Sequence, residues 1–327
     1  MRLSSFLFSP FAFCLVAVPV GAQSAAPAAE YPTRPVRLVV PFAPGGTVDI
    51  VARVIGARIG EMTGQQVVVD NRGGAGGIVG TEITAQSRGD GYTLLLHSAA
   101  IAYEPALHPR LPYDTLKDLA PVTLVGATPN LLVANSAFPA RSARDLIAMA
   151  KEKPGAISYG TGGVGSSSHL AVELFAIMSG TTFNHVPYKG AGPALTETIA
   201  GQVSFMIATM PGAIQHVRGG RLRALGVSTL KRSRAAPEIP TVAESGLPGY
   251  EYVAWFGLFA PGTTPPKLVE RIAMLSRDAV NAAETRSRLE PQGVEPETNT
   301  PEEFRAYVQR EIEKWGKVIR QAGIKAS

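Results

Sequence analysis

The chain has 327 residues, a formal net charge of +5 and only 17% charged residues, with 34 glycines, 26 prolines and a single cysteine, Cys14. That length accommodates two domains of about 150 residues each, and one thiol excludes a disulfide scaffold and any multi-thiolate metal site. Apolar runs recur throughout, so the glycine and proline content points to ordered loops rather than disorder, and the mild positive charge favours anionic ligands.

Arg2 precedes an apolar run from Phe6 to Val20 that ends in Val20-Gly21-Ala22, small at −3 and −1. This reads as a secretory signal peptide over 1–22, cleaved after Ala22, with Ala26 and Ala29 as alternative sites. Ser9 and Pro10 interrupt the run and no stop-transfer charges follow, which argues against a membrane anchor. Phe13 is too bulky for a lipoprotein cleavage site beside Cys14, so the thiol leaves with the signal. Residues 23–30 are expected to form a flexible leader, and nothing after residue 30 is long and apolar enough to span a bilayer.

Val36 to Val40 is a β-branched run suited to a parallel strand covered on both faces. Pro41 and Pro44 stiffen the turn that follows, Gly45 and Gly46 leave no Cβ over it, and Thr47 is the expected N-cap of a helix over Val48–Gly60. Asp49 falls in the first turn, where it complements the helix dipole; it is read as a stabiliser rather than a general acid, able also to orient a ligand amine. A strand at Gln65–Val69 leads into a second bare loop, Asp70 to Gly80, and a strand at Thr93–Leu96 follows. Pro121 to Val133 joins two apolar runs without a helix, the pattern of one extended segment crossing between domains. Beyond it, helices at Ala143–Lys151, Ser168–Met178 and Pro193–Ala200 alternate with strands at Ile157–Tyr159, Val203–Ile207 and Leu222–Val227. Tyr252 to Phe259 is a second crossing. The last helix opens on Thr300-Pro301-Glu302-Glu303, a capping box with proline at N1, and stops before Gly323; its Trp315 lies on the apolar stripe and is read as packing. The alternation predicts an α/β fold of two doubly wound domains, the first discontinuous (31–127 with 254–327) and the second inserted at 128–253.

Bare loops after strands recur in both halves: Pro41–Gly46, Asp70–Gly80, Tyr159–His169 and His185–Pro193. A strand end, a loop without side chains and a helix start aim free N–H groups and a partial positive charge at whatever lies above the sheet, and ligands of open α/β sheets collect there. Three or four such loops split across two domains predict an anion site in a cleft. An enzyme is disfavoured. Gly74-Ala75-Gly76 does not continue as a dinucleotide fingerprint, and no phosphate-binding lysine loop or nucleophile elbow occurs. The five histidines have no metal-ligand spacing, and Ser166 to Ser168 are better helix caps than nucleophiles. The basic stretch Arg218 to Arg234 lacks interleaved aromatics, so no nucleic-acid partner is expected, nor any cofactor.

The motifs "VVPFAPGGTVDIVAR", "NRGGAGGIVG", "YGTGGVGSSSHL", "HVPYKGAGPAL" and "IPTVAESGLPGYE", in this order, resemble the Bug family, periplasmic substrate-binding proteins of tripartite tricarboxylate transporters. The resemblance spans the whole chain after the signal. It implies a two-lobed type II periplasmic-binding-protein fold, each lobe a doubly wound sheet, hinged by two crossing strands. It further implies a periplasmic, monomeric protein that passes a small organic carboxylate or amino acid to membrane permease subunits. The ligand acid is then gripped by the first two βα loops, largely through backbone amides and ordered waters, at Phe42, Ala43, Pro44, Gly45 and Gly46, with Asp49 beside them, and at Gly74, Ala75, Gly76 and Gly77. Ser98 joins them from the first domain; Thr161, Gly165, Ser166, His169 and Tyr188 face them from the second, and Thr209 sits where side-chain selectivity is set. Glu197 stands where the family usually has Asp, and Ser204 replaces the Asp common after "GQV". The class of acid stays open, and a sensor presenting its closed form to a signalling receptor is the alternative to a transport receptor.

Overall fold

The computed structural model describes residues 31–42, 44–188 and 191–324. The expected signal peptide and leader, Ala43 and the Lys189–Gly190 pair lie outside the described residues.

The first lobe is built on a parallel trio, β1 (Val36–Val40), β2 (Val67–Asn71) and β3 (Thr93–Ser98), with β1 central. Its crossovers are α1 (Thr47–Thr63) and α2 (Ile78–Ala85), and a short α3 (Glu104–Leu107) follows β3. The sheet continues in the order β2-β1-β3-β9-β4, where β4 is Leu119–Asn135 and β9 is Val253–Pro261. The second lobe contributes α4 (Ala143–Glu152), β5 (Ser158–Thr161), α5 (Ser167–Ser179), β6 (Asn184–Pro187), α6 (Ala191–Ile199), β7 (Phe205–Thr209), α7 (Met210–Arg218) and β8 (Leu222–Val227). Here β4 lies between β7 and β8, with β5 and β6 beyond β7. The chain closes with α8 (Pro266–Asn281), α9 (Ala283–Leu289), β10 (Glu295–Pro296) and α10 (Pro301–Ala322).

One strand therefore belongs to both sheets. At roughly 3.3 Å per residue, the 17 residues of β4 reach about 55 Å, enough to cross from lobe to lobe. The crossing is legible in its irregularities. Pro121, which cannot donate to a ladder, sits at a register shift against β9, and a second shift falls at Gly126. There β10 pairs as well, and a Cβ on Gly126 would lie 3.0 Å from the Glu295 carbonyl oxygen. Strand β9 returns antiparallel between β3 and β4, after Tyr252 has tied itself to the second lobe through Ser228.

The core is continuous from lobe to lobe, running from Leu95 and Trp255 to Tyr159, Phe175 and Phe205. Helix α10 packs on β4, α3 and α5 and so bridges both halves. Its capping box forms as the sequence predicts, with Thr300 Oγ1 accepting from Glu303 N–H and Glu303 reaching back to Thr300 N–H. Trp315 is buried against Tyr103 and Tyr252 and donates its indole N–H to Glu311. Strand limits move by a residue or two from the expected ones, because pairing sets them: β2 starts at Val67, opposite Val36. One expectation is corrected. The N-cap of α1 is Gly46, in extended backbone, and Thr47 is already helical. The paired glycines let the chain enter the helix a residue early, and no side chain caps its first turn.

Candidate functional site

A cleft of about 970 Å³ opens between the lobes. Gly46, Thr47 and Val48 line it from the start of α1, Ala75 and Gly76 from the second loop, and Gly165, Ser166 and Ser167 from the start of α5 in the other lobe. Two helix N-termini thus face one space from opposite sides. Each presents backbone N–H groups with no intrahelical partner and the positive end of a dipole. On α1 no side chain caps these groups.

The second loop is a run of left-handed backbone. Gly74, Ala75, Gly76 and Gly77 have φ of 141°, 45°, 72° and 124°. Successive amides in such conformations converge on a concave anion-binding nest. Ala75 is the single non-glycine residue with positive φ among the described residues, a strain that persists only where its surroundings enforce it.

Asp49 shows how the first loop is held. Its carboxylate is buried and accepts from Gly45 N–H (2.9 Å), Asn71 Nδ2 (3.0 Å) and Arg53 Nε (3.0 Å), and Arg53 Nη2 lies 2.9 Å from its other oxygen. Asn71 also donates to the Phe42 carbonyl at 3.1 Å. Burial alone would raise the Asp49 pKa; the bonds from Arg53, Gly45 and Asn71 outweigh it and hold the carboxyl below the usual range. Asp49 therefore works inward, fastening the loop from behind.

A buried pair backs the second loop. His97 Nδ1 lies 2.9 Å from the Ser98 carbonyl oxygen, which can only accept, so Nδ1 carries a proton. Nε2 then faces Glu104 Oε1 at 3.3 Å, and neither atom has a hydrogen-bond partner among the described residues. Tyr113 donates to the other Glu104 oxygen at 2.5 Å. A Cβ on Gly77 would sit 2.8 Å from His97 Nε2 and 3.1 Å from Glu104 Oε1, so the loop rests directly on this pair.

In the second lobe Gly165 N–H donates to His169 Nδ1 at 3.1 Å, fixing the other tautomer, with Nε2 3.5 Å from Glu173. The His169 and His185 rings stack at 4.0 Å, His185 Nε2 meets Thr161 Oγ1 at 2.6 Å, and Tyr159 donates to Glu173 at 2.6 Å. Burial, and then the neighbouring His169, push the His185 pKa down to about 4. Burial would raise Glu173, but bonds from His169 and Tyr159 bring it below its ordinary value. Ser166 is the N-cap of α5, accepting from His169 N–H at 3.4 Å.

Of the residues the sequence nominated, Phe42, Gly46, Ala75, Gly76, Ser98, Gly165, Ser166 and Thr209 line the cleft together. Pro44, Gly45, Asp49, Gly74, Gly77, Thr161, His169 and Tyr188 do not line it. Most of these shape it from behind, Gly45 through Asp49, Gly77 over the His97–Glu104 pair, and Thr161 and His169 through the histidine stack. The sequence missed Tyr103, Glu104, Leu107 and His108 from the α3 segment, Thr128 from β4, Pro211 from α7, and Tyr252, Ala254 and Phe256 at the second crossing. Among the described residues no arginine or lysine lines the cleft. A second space of about 20 Å³ inside the first lobe is walled by apolar residues such as Leu38, Ile55 and Leu258 and is too small for an organic ligand.

Residues 51–324 match the tripartite tricarboxylate transporter family receptor. BugT of Bordetella pertussis is 41% identical over 315 residues, which cover 95% of this chain and 94% of BugT. Among solved structures, Rpa4515 of R. palustris with adipate aligns at 36% identity and a TM-score of 0.75, over 91% of this chain and 100% of that one. MatC from Rhodopseudomonas palustris with bound malate aligns at 32% identity and a TM-score of 0.73, over 88% and 100%.

Proposed function

The chain belongs to the tripartite tricarboxylate transporter receptor family, and from that premise we propose that it is a non-catalytic periplasmic receptor that binds a small organic carboxylate in the inter-lobe cleft and delivers it to a membrane permease. The observation that carries this reading is the convergence of two helix starts and a left-handed loop on one space that, among the described residues, no arginine or lysine lines. Among the described residues no helix is long and apolar enough to cross a membrane.

The energetics suffice. Hydrogen bonds to a charged acceptor contribute roughly 1.5–3 kcal/mol each before ordering costs, so two or three of them, together with burial on closure, reach the ~8 kcal/mol of a micromolar binder. Amide donors carry no formal charge, which spares the site a permanent ion pair that would slow release. The lobes, 31–127 with 254–327 and 128–253, close as bodies about β4 and β9, and the closed form is the one the permease meets. The test is calorimetric titration of a panel of organic acids, amino acids and inorganic anions, with small-angle scattering on any binder. The reading expects micromolar or tighter binding of an organic acid and a smaller radius of gyration at saturation. Binding confined to phosphate or sulfate, or no compaction, contradicts it.

A further inference from the structure

Strands β4 and β9 do more than hinge the lobes. Thr128 is opposite Ala254 on β9, and Asn130 is opposite Thr209 on β7. Alternate residues of one strand and directly opposed residues of antiparallel neighbours share a face. These four side chains therefore form one surface, and Thr128, Thr209 and Ala254 line the cleft. Thr128 is 2% exposed and Asn130 4%. Yet Thr128 Oγ1 and Asn130 Nδ2 have no hydrogen-bond partner among the described residues. Asn130 is firmly rooted, its N–H donating to Ser228 Oγ at 3.0 Å and its carbonyl accepting from Ser228 N–H at 2.8 Å. Buried polar groups of native proteins are almost always paired, and an unpaired one calls for an explanation.

We infer that Thr128 and Asn130 form a second recognition point, which reads a neutral hydrogen-bonding group, an amide or hydroxyl, at the far end of the bound acid. The inference rests on reading the cleft as an acid site. The acid end meets the amides of the helix starts and the left-handed loop, and the far end reaches the hinge floor. A hydroxyl and a carboxamide both donate and accept, which suits a neutral partner of the same kind. Among the described residues a second carboxylate would meet no arginine or lysine there, and Glu104 already lines the cleft. Burying an anion without a paired cation or a full set of donors is costly.

The experiment is calorimetry at pH 8, which keeps imidazole protonation out of the comparison, with acids matched in length. Succinamate, glutaramate and adipamate are set against succinate, glutarate and adipate, and against butanoate, pentanoate and hexanoate. The best monoamide should bind more tightly than the dicarboxylate and the alkyl acid of its length. Thr128→Val and Asn130→Leu should each weaken that monoamide by about 2- to 10-fold, leave the alkyl acid unchanged and melt no lower than the parent, since each removes an unpaired buried polar group. The unliganded melting temperature separates a recognition role from a structural one. A dicarboxylate that outbinds its monoamide, or native monoamide affinity in both variants, overturns this inference alone. No binding by any acid overturns the acid-site reading and this inference with it.

Discussion

Replacing Asp49 by alanine tests whether the first loop is held from behind. The side chain is not among those that line the cleft, but its carboxylate joins Gly45, Asn71 and Arg53. Arg53 is 54% exposed, so its ion pair is discounted: water takes over most of what it loses. What remains is two hydrogen bonds from neutral amides to a buried charge, worth roughly 1.5–3 kcal/mol each when intact. Gly45 is exposed, and its amide recovers part of the loss from solvent. The net cost should be about 2–3 kcal/mol, which lowers the melting temperature by roughly 5–10 °C. Carboxylate affinity should fall at least tenfold, because Gly45 and Gly46 are no longer fixed; Asp49→Asn should be intermediate. The pH dependence carries a sign. The folded Asp49 pKa lies below its unfolded value, so its stabilisation is complete above the ordinary carboxylate range near ~3.9 and is lost as pH falls through the folded value. The gap between parent and Asp49→Ala, followed by calorimetric melts from pH 7 downward, should hold constant and then narrow below about pH 4. A variant with parent melting temperature and parent affinity would refute the clamp.

Gly77→Ala meets two obstacles at once, a φ of 124° and a Cβ 2.8 Å from His97 Nε2. It should cost about 2–4 kcal/mol in denaturant unfolding and abolish tight acid binding. Gly45→Ala, at φ 85° with open space around it, should cost only about 1 kcal/mol by the same assay. His185 has a folded pKa near 4, below its unfolded value of 6.5, so the unfolded chain binds the extra proton between those values. Its contribution is full above pH 6.5 and declines as pH falls towards 4, and His185→Gln should flatten that part of the melting-temperature profile. Thr300→Ala removes the cap of α10 and should cost about 1 kcal/mol in thermal melts while leaving acid affinity unchanged.

Much of the fold was written in local pattern. β-Branched runs mark the buried parallel strands, and the helix-free junction from Pro121 to Val133 announced the crossing that β4 makes. The glycine loops marked where backbone faces the cleft because glycine leaves a signature independent of tertiary contacts. The rest of the site has none. Tyr103 and Tyr252 reach it because they pack on Trp315, more than 60 residues away from either in sequence. Thr128 enters it through register against β9, and periodicity does not fix which strand will lie alongside. His169 illustrates the converse: its place beside a glycine loop suggested contact with ligand, whereas its Nδ1 is spent on Gly165 N–H.

The most direct test of backbone recognition is a 15N–1H amide spectrum of the labelled protein, titrated with the tightest acid from the panel. The account predicts that the largest shifts fall on amides 46–48, 75, 76 and 167, which have no partner of their own among the described residues and line the cleft, moving downfield as charge-assisted bonds form, and that the methyl ester of the same acid leaves them in place. Shifts that spare these amides, or that the ester reproduces, would contradict it.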